Sequence, residues 1–234
     1  MGIAKKVNSV YYNYNELRRG LFPLTVGTLI FCNEWGGCSM ERLNKLAKRL
    51  NTCGFETKVF ETAKEAADWA VELAKGSKVA FGGSMTVKEL GLYERLKDIA
   101  DVRWHWYDES VRREGYDADF YFASANAITM NGEIVNIDGT GNRVSHLVYG
   151  PKNSIYLVGR NKIEDTLDKA IERARVIGTV KNAVRVGKHP PCTVDGKCHD
   201  CHGPECMCSV ITIHRNKTGL IKTYVVLINE DLGY

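Results

Sequence analysis

The chain has 234 residues, 44% of them hydrophobic, so it can bury a sizeable core as one large domain or one domain with a small appendage. Its formal net charge is +4, and no Lys/Arg run interleaved with aromatic residues marks a nucleic-acid surface. No apolar run approaches the roughly 18 residues that a membrane helix needs. We therefore expect a cytoplasmic protein that neither binds nucleic acid nor spans a membrane.

Residues 1–39 differ in pattern from the rest and are interpreted as an N-terminal extension of doubtful status. Residues 21–32 are apolar and could form a signal-peptide core, but no A-x-A-like cleavage site follows before residue 39. A second interpretation is a surface arm or an added strand. A third is that residues 34–37, E-W-G-G, back-translate to a purine-rich ribosome-binding run, which would make Met40 the natural start.

From residue 40 onward, patterns typical of helices and strands alternate. Leucines 43, 46 and 50 share one helical face, whereas residues 78–81 form an apolar strand pattern. Strands alternating with helices of this length predict an α/β fold with a doubly wound, mainly parallel sheet. Further strands are predicted at residues 56–61, 102–107, 118–123 and 154–158, and further helices after 62, after 86, near 143–149 and at 167–177.

Residues 124–144 read S-A-N-A-I-T-M-N-G-E-I-V-N-I-D-G-T-G-N-R-V and predict a β-hairpin followed by a polar loop. Asn131-Gly132 is a strong hairpin signal, since a two-residue type I′ turn needs positive φ at both central positions. The loop that follows could direct backbone N–H groups, an amide and a guanidinium at an anion. The alternative is an ordinary turn, because tight turns also use Asn, Asp and Gly.

Three polar, glycine-bearing turns follow apolar strands: residues 82–86, residues 124–126 together with 138–143, and residues 159–162. Ligands in doubly wound folds bind beyond the carboxyl ends of the strands, so these turns are predicted to form one site for a small anionic ligand. Neither a Walker loop nor a G-x-G-x-x-G fingerprint is present, so neither ATP nor NAD is implied. The predicted ligand-binding residues are Gly82, Gly83, Ser84, Thr86, Asn126, Asn136, Gly139, Thr140, Gly141, Asn142, Arg160 and Lys162.

A Cys-rich loop at residues 190–209 holds five cysteines within seventeen positions. Its Cys-x-x-Cys pair could grip one ion, and soft sulfur ligands suit zinc or an iron–sulfur cluster. The alternatives are disulfides, if the chain is exported, or free thiols. The predicted metal ligands are Cys198 and Cys201 with Cys192 and Cys208, and Cys206 is a further candidate.

After this loop, residues 210–214 and 224–228 alternate like two strands and are predicted to form a C-terminal antiparallel hairpin. The carboxylate-bearing residues 229–234 either reach back into the site or form a solvated tail. His105 and His146 are interpreted as structural, because no nucleophile stands beside either of them in the sequence.

Several motifs in fixed order resemble the LUD domain family of lactate-utilisation proteins. They are F-G-G-S-M-T-V-K-E-L-G-L, A-N-A-I-T-M-N-G-E-I-V-N-I-D-G-T-G-N-R-V, G-R-N-K-I, P-C-x5-C-x2-C and the closing N-E-D-L-G-Y. The resemblance covers residues 40–234 as a single domain. It implies a fold like that of ribose-phosphate isomerase, sugar-phosphate deaminase and CoA-transferase. It also implies a part in oxidising L-lactate to pyruvate with iron–sulfur partner subunits.

Two hypotheses of function follow. In the first, the protein is an accessory or redox-linked component of lactate oxidation that binds a small anion in the loops and a metal or cluster at the cysteines. In the second, it is a stand-alone enzyme, as a monomer or homo-oligomer, that acts on a sugar phosphate or acyl-CoA. The second hypothesis assigns Asp138 or Glu89 as general base and Arg143 as the group that fixes an anion.

Overall fold

Six parallel strands form the central sheet of the protein. The structure is a computed structural model, and it describes residues 40–234. The interpretations of residues 1–39, including the ribosome-binding run that would precede Met40, concern positions outside that range. Within the described range, no helix is both long and apolar enough to cross a membrane.

The strands are short and follow the predicted order along the chain. Their bounds are β1 Glu56–Phe60, β2 Lys78–Phe81, β3 Asp101–Trp104, β4 Phe120–Ala123, β5 Ala127–Thr129, β6 Ile134–Asp138, β7 Asn153–Gly159, β8 Ile163–Glu164, β9 Val210–His214 and β10 Lys222–Ile228.

The α-helices are α1 Met40–Thr52, α2 Ala63–Ala74, α3 Met85–Glu89, α4 Leu92–Leu96, α5 Asn142–Val148, α6 Leu167–Arg173, α7 Val180–Arg185 and α8 Cys192–Asp195. Segments of 3-10 helix cover Glu109–Asp117 and Arg160–Lys162, and a π-helical segment, Ala174–Thr179, joins α6 to α7.

The strand order of the central sheet is β1-β10-β7-β4-β2-β3, and every neighbouring pair is parallel. This confirms the predicted α/β class with a mainly parallel sheet. Parallel neighbours bring the carboxyl ends of β2, β4 and β7 to one edge, where the loops that follow them can meet.

Helix patterns follow from burial and capping. Leu43, Leu46 and Leu50 of α1 are fully buried, because spacings of three and four residues place them on one face. Helix α2 begins after Thr62, whose side chain accepts the N–H of Glu65 while the Glu65 carboxylate accepts the N–H of Thr62. Such reciprocal caps satisfy two backbone donors that the helix itself cannot.

Each face of the central sheet has its own core. Alternate side chains along β10 point to opposite faces, so Val226 packs with helices α2, α3 and α4, whereas Val225 packs with α1 and α5. A second sheet of order β8-β5-β6-β9 covers the α1 and α5 face as well, through Ile128 and Ile134. Burying one such aliphatic side chain contributes about 1.5–3 kcal/mol.

The predicted C-terminal antiparallel hairpin is wrong. β9 pairs antiparallel with β6 in the second sheet, whereas β10 inserts in parallel between β1 and β7 of the central sheet. Six consecutive residues of β10, Thr223–Ile228, are buried, which is typical of a strand covered on both faces. Two strands that are neighbours in the sequence therefore belong to different sheets. The strand that is apolar throughout, β10, lies in the doubly covered central sheet.

The hairpin between β5 and β6 is confirmed, but its turn differs from the predicted one. Glu133 extends β6 by one hydrogen-bonded pair with Thr129, so the turn itself has three residues, Met130 to Gly132, of which only Gly132 has a positive φ, +87°. The N–H of Gly132 donates to the Thr129 carbonyl oxygen, and the N–H of Thr129 donates to that of Glu133. This is a three-residue turn closed by a left-handed glycine, not a type I′ turn.

Candidate functional site

The loops that follow β2, β4, β6 and β7 surround a cleft of about 470 Å³. Nine of the residues predicted as ligand-binding or catalytic line it. They are Gly83, Ser84, Asn126, Asp138, Gly139, Thr140, Asn142, Arg143 and Lys162. The turns singled out in the sequence thus converge, because the strands that carry them are neighbours in the two sheets.

Lys162 is the buried amine of the cleft. It ends the 3-10 turn after β7, and its side chain is only 2% exposed. Its Nζ donates to Thr86 Oγ1 at 2.8 Å and to Ser124 Oγ at 3.0 Å. Burial, reinforced by the positive charges of Arg173 and Arg143, lowers the pKa of Lys162 to about 7, against a smaller opposing effect of Glu89. Such an amine can bind an anion, exchange a proton or act as a nucleophile.

Asp138 is a buried residue of the cleft lining, and backbone donors occupy its carboxylate. Its Oδ1 accepts the N–H groups of Thr140 and Gly141 at 3.0 and 2.9 Å, and its Oδ2 accepts that of Val144 at 3.3 Å. The carboxylate therefore fixes the start of α5. These contacts favour a positioning role over the predicted role of general base.

Arg143 lines the cleft, but most of its N–H groups donate to other atoms of the protein. Nη1 donates to the Ser124 carbonyl oxygen and to Asn136 Oδ1, and Nη2 donates to Asn126 Oδ1 and the Ile137 carbonyl oxygen. Its Nε lies 3.8 Å from Asp138 Oδ2. The guanidinium thus ties the loop after β4 to the end of β6, and it acts on a ligand through its charge more than through free N–H groups.

Gly82, Thr86, Asn136 and Gly141 were predicted to bind a ligand but are not among the residues that line the cleft. A Cβ at Gly82 would lie 2.9 Å from the Tyr121 hydroxyl oxygen, so this glycine serves close packing. Asn136 is 1% exposed, and its Oδ1 accepts the Asn126 N–H. Gly82 and Asn136 thus contact neighbouring protein residues, and Asn136 supports Asn126 of the lining.

Glu89 and Arg160 also lie outside the cleft and hold the C-terminal segment instead. The Glu89 carboxylate accepts the N–H of Gly233 at 2.6 Å, and Arg160 pairs with Asp231 at 2.9 Å. This segment brings Tyr234 into the cleft lining. The structure thus shows residues 229–234 reaching back to the site.

The outer part of the cleft contains residues that the sequence interpretation missed. Trp106 stacks on Trp104 with ring centroids 4.8 Å apart, and the Arg185 guanidinium lies 4.6 Å from the Trp106 centroid. His105 also lines the cleft, and burial followed by the charge of Arg112 lowers its pKa. Their position in the sequence could have predicted them, because His105 and Trp106 directly follow β3, and ligands bind at the carboxyl ends of parallel strands.

Charge in the cleft is predominantly positive. Its lining includes five basic side chains but only two carboxylate side chains, and Glu109 is already paired with Arg112 at 2.6 Å. A cleft of one sign concentrates ligands of the other sign. The basic residues are Arg112, Arg143, Lys162, Arg185 and Lys188.

The helix predicted at residues 167–177 continues to Arg185 and contains the π-helical segment. Gly178 and Thr179 of this segment line the cleft, and a Cβ at Gly178 would lie 2.8 Å from Asn126 Nδ2. A π-helical turn widens the helix locally and is frequent at functional sites. Here it allows the helix to approach the loop after β4.

The Cys-rich loop adjoins the cleft through Cys206 and Met207. The Cys201 thiol is hydrogen-bonded to Cys206, and burial raises the pKa of the Cys192 and Cys208 thiols. Within residues 40–234, no group of three or more His, Cys, Asp or Glu side chains is arranged to hold a metal ion. The metal site at Cys192, Cys198, Cys201 and Cys208 therefore stays a prediction.

Comparison with known proteins gave one family match and two similar structures. The sequence model of the LUD domain matches residues 43–228. A DUF162 family protein from Deinococcus radiodurans is 16% identical over 81% of this chain and 97% of its own, with a TM-score of 0.49. Ribose 5-phosphate isomerase A from Methanocaldococcus jannaschii is 18% identical over 53% and 66%, with a TM-score of 0.32. None of the curated proteins compared with the chain matches it.

Proposed function

Because this chain belongs to the LUD domain family, we propose that it is an accessory or redox-linked component of L-lactate oxidation to pyruvate. In this role it binds a small carboxylate-bearing ligand in the cleft. Family membership supports the link to lactate utilisation, and the charge of the cleft supports the ligand class. The observation that carries the proposal is Lys162, a buried amine that lies near the positive charges of Arg143 and Arg173 and has no carboxylate partner within 4.0 Å among the described residues.

A bound carboxylate would offset an energetic cost that the protein bears alone. Lys162 is removed from water, and Arg143 and Arg173 are nearby positive charges. A buried charge is costly unless it is paired, and a hydrogen bond to a charged group contributes about 1.5–3 kcal/mol. An anion entering the cleft therefore gains from charges that are already fixed in place.

The electron-transfer part of lactate oxidation is assigned to iron–sulfur partner subunits, as the family resemblance implies. The cysteines of residues 190–209 are the candidate ligands for a metal or an iron–sulfur cluster in this chain, as the family resemblance implies. The nearness of Cys206 and Met207 to the cleft supports placing such a partner on that side.

Calorimetric titration of the purified full chain with L-lactate and pyruvate tests the ligand class. We expect one of these acids to bind, and Lys162→Met to weaken the affinity at least about tenfold, which corresponds to 1.4 kcal/mol. Lys64→Met is the matched control, because the Lys64 side chain is 84% exposed. If neither acid binds to the wild-type chain, the proposal fails.

A second candidate function is supported by the size of the cleft. Its volume of about 470 Å³ lies within the roughly 300–1,000 Å³ of pockets that hold drug-sized ligands. Arg112, Arg185 and Lys188 could bind a second anionic group near the opening. A stand-alone enzyme acting on a sugar phosphate or acyl-CoA would use this space, and turnover of such a compound by the purified chain alone would favour it.

A further inference from the structure

The two hydroxyl groups that surround Lys162 are both engaged as donors elsewhere. Ser124 Oγ donates to the Ala125 carbonyl oxygen at 3.3 Å, and Thr86 Oγ1 donates to the Leu232 carbonyl oxygen at 3.2 Å. Each hydroxyl therefore accepts a hydrogen bond from Lys162 Nζ, at 3.0 and 2.8 Å. Neither hydroxyl can donate to Lys162 Nζ instead, because it would then lose its hydrogen bond to the carbonyl oxygen.

This arrangement fits a neutral amine better than an ammonium. An ammonium carries three N–H donors, whereas a neutral amine carries two donors and a lone pair. In the part of the chain that the structure describes, Nζ has the two hydroxyl acceptors and no third one. Both donors of the neutral form are thus satisfied, and its lone pair is left without a hydrogen-bond partner.

The two arginine side chains near Lys162 both favour its neutral form, and hydrogen bonds hold them in place. Arg173 is 5% exposed, and its Nε donates to the Asn161 carbonyl oxygen at 2.9 Å. Arg143 is fixed by its four acceptors. With a pKa of about 7, roughly half of the Lys162 amine is neutral at pH 7, whereas an exposed lysine is almost wholly protonated.

We propose that Lys162 is a nucleophile that forms an imine with the carbonyl carbon of a 2-oxo acid bound in the cleft. This inference rests on the proposed function and narrows its ligand class. A lysine that is desolvated next to other cations is suited to attack a carbonyl group. A carboxylate beside that carbonyl is what the basic lining of the cleft would retain, so a 2-oxo acid fits better than a simple aldehyde.

The covalent step balances without an oxidant or a reductant. The Nζ lone pair forms a bond to the carbonyl carbon, and the carbonyl oxygen gains a proton to give a carbinolamine. The carbon–oxygen bond then breaks, and the oxygen leaves as water with both hydrogens that the amine carried. The products are one imine and one water, and hydrolysis reverses the step.

An imine also acidifies the C–H bonds next to the former carbonyl carbon, because the nitrogen can accept the electron pair. The protein should therefore exchange the methyl hydrogens of pyruvate with solvent. This exchange is an activity of the chain by itself and requires neither a metal nor a partner subunit.

Borohydride reduction tests the proposal, since it converts an imine into a stable secondary amine. The full chain is incubated with pyruvate at pH 7, reduced and analysed by intact mass and peptide mapping. We expect one adduct per chain, on Lys162, and none with L-lactate, which has a hydroxyl group in place of the ketone carbonyl that forms an imine. Lys162→Arg should lose the adduct, whereas Lys64→Arg, altered at an exposed position, should keep it.

Peptide mapping of the reduced wild-type chain shows whether Lys162 carries the adduct, even if Lys162→Arg does not fold. Adducts spread over exposed lysines, or no adduct although calorimetry shows that pyruvate binds, would overturn the imine and leave the proposed function standing. Absence of both binding and adduct would overturn both. Deuterium exchange into the pyruvate methyl group, followed by NMR, is expected to be lost in Lys162→Arg as well.

Discussion

Gly233 packs so closely against Thr86 that a Cβ atom at Gly233 would lie 2.6 Å from Thr86 Oγ1. The same Cβ would lie 3.3 Å from Lys162 Nζ, and the φ of Gly233 is +59°. The C-terminal segment therefore forms one wall of the environment of Lys162, and its glycine is required for both space and backbone conformation.

Gly233→Ala is expected to displace the Thr86 hydroxyl and to weaken pyruvate binding several-fold. Gly187→Ala is the matched control, since Gly187 also has a positive φ, +72°, but a Cβ there meets no atom within 4 Å. Backbone strain should cost both variants about 1–2 kcal/mol of unfolding free energy. Urea denaturation measures that cost, and equal pyruvate affinities in the two variants would contradict the steric role of Gly233.

The stability of the protein should rise with pH because of Lys162. Its pKa falls from 10.5 to about 7 on folding, so between these values the unfolded state binds more protons than the folded state. The free energy of unfolding then increases with pH from about 7 toward 10, and the full penalty is present below pH 7. The gain is on the order of a few kcal/mol.

Denaturant titrations of the wild type and Lys162→Met from pH 6 to pH 9 measure this effect, because the variant lacks the titrating amine. The free-energy difference between the two proteins should shift in favour of the wild type as the pH rises. A difference that does not change with pH would show that the pKa of Lys162 is not lowered in the folded state.

Asp138→Asn separates a positioning role from general-base catalysis. Both carboxylate oxygens accept backbone N–H groups, and the amide nitrogen of asparagine cannot accept. We expect a loss of about 1–3 kcal/mol in unfolding free energy, with pyruvate affinity reduced in step. A variant with wild-type stability and affinity that no longer exchanges the pyruvate methyl hydrogens would instead identify Asp138 as the base.

Arg185→Gln should weaken ligand binding with little change in stability, because Arg185 is exposed and contributes mainly charge to the cleft. The remaining affinity should depend less on salt than that of the wild type, since a screened charge has been removed. Arg215→Gln changes an exposed arginine outside the cleft lining and serves as the control. Calorimetry at two ionic strengths measures both effects, and equal behaviour of the two variants would remove Arg185 from the site.

Metal analysis after anaerobic purification decides the prediction for the Cys-rich loop. Iron with acid-labile sulfide would indicate a cluster, and zinc without colour a structural ion. Either metal should be lost in a Cys198→Ser, Cys201→Ser variant and kept in Cys53→Ala, since Cys53 is buried in the core. A metal-free wild-type chain whose thiols all titrate would contradict the prediction.

Much of the fold could be predicted because its signals are local. β2 has the predicted bounds, and α1 buries the leucines that the three- and four-residue spacing selected. The convergence of the glycine-bearing loops around one cleft could also be predicted, since the carboxyl ends of neighbouring parallel strands meet at one edge. Lys162, which was predicted to bind the ligand, lies in one of these loops and lines the cleft.

The pairing of β9 and β10 could not be predicted, because both segments have strand patterns and only their surroundings differ. Arg185 and Trp106 were missed for a similar reason. They are separated by 79 positions in the chain, and their contact depends on how α7 packs against the loop after β3.

The sequence by itself determined the α/β class, the family and the loops that border the cleft, because periodicity and glycine-bearing turns act over a few residues. Only the tertiary structure decided which of these residues line the cleft and which do not. It also decided the state of Lys162, because burial, two hydroxyl acceptors and two arginines come from distant parts of the chain. Their joint effect on one amine exists only after folding.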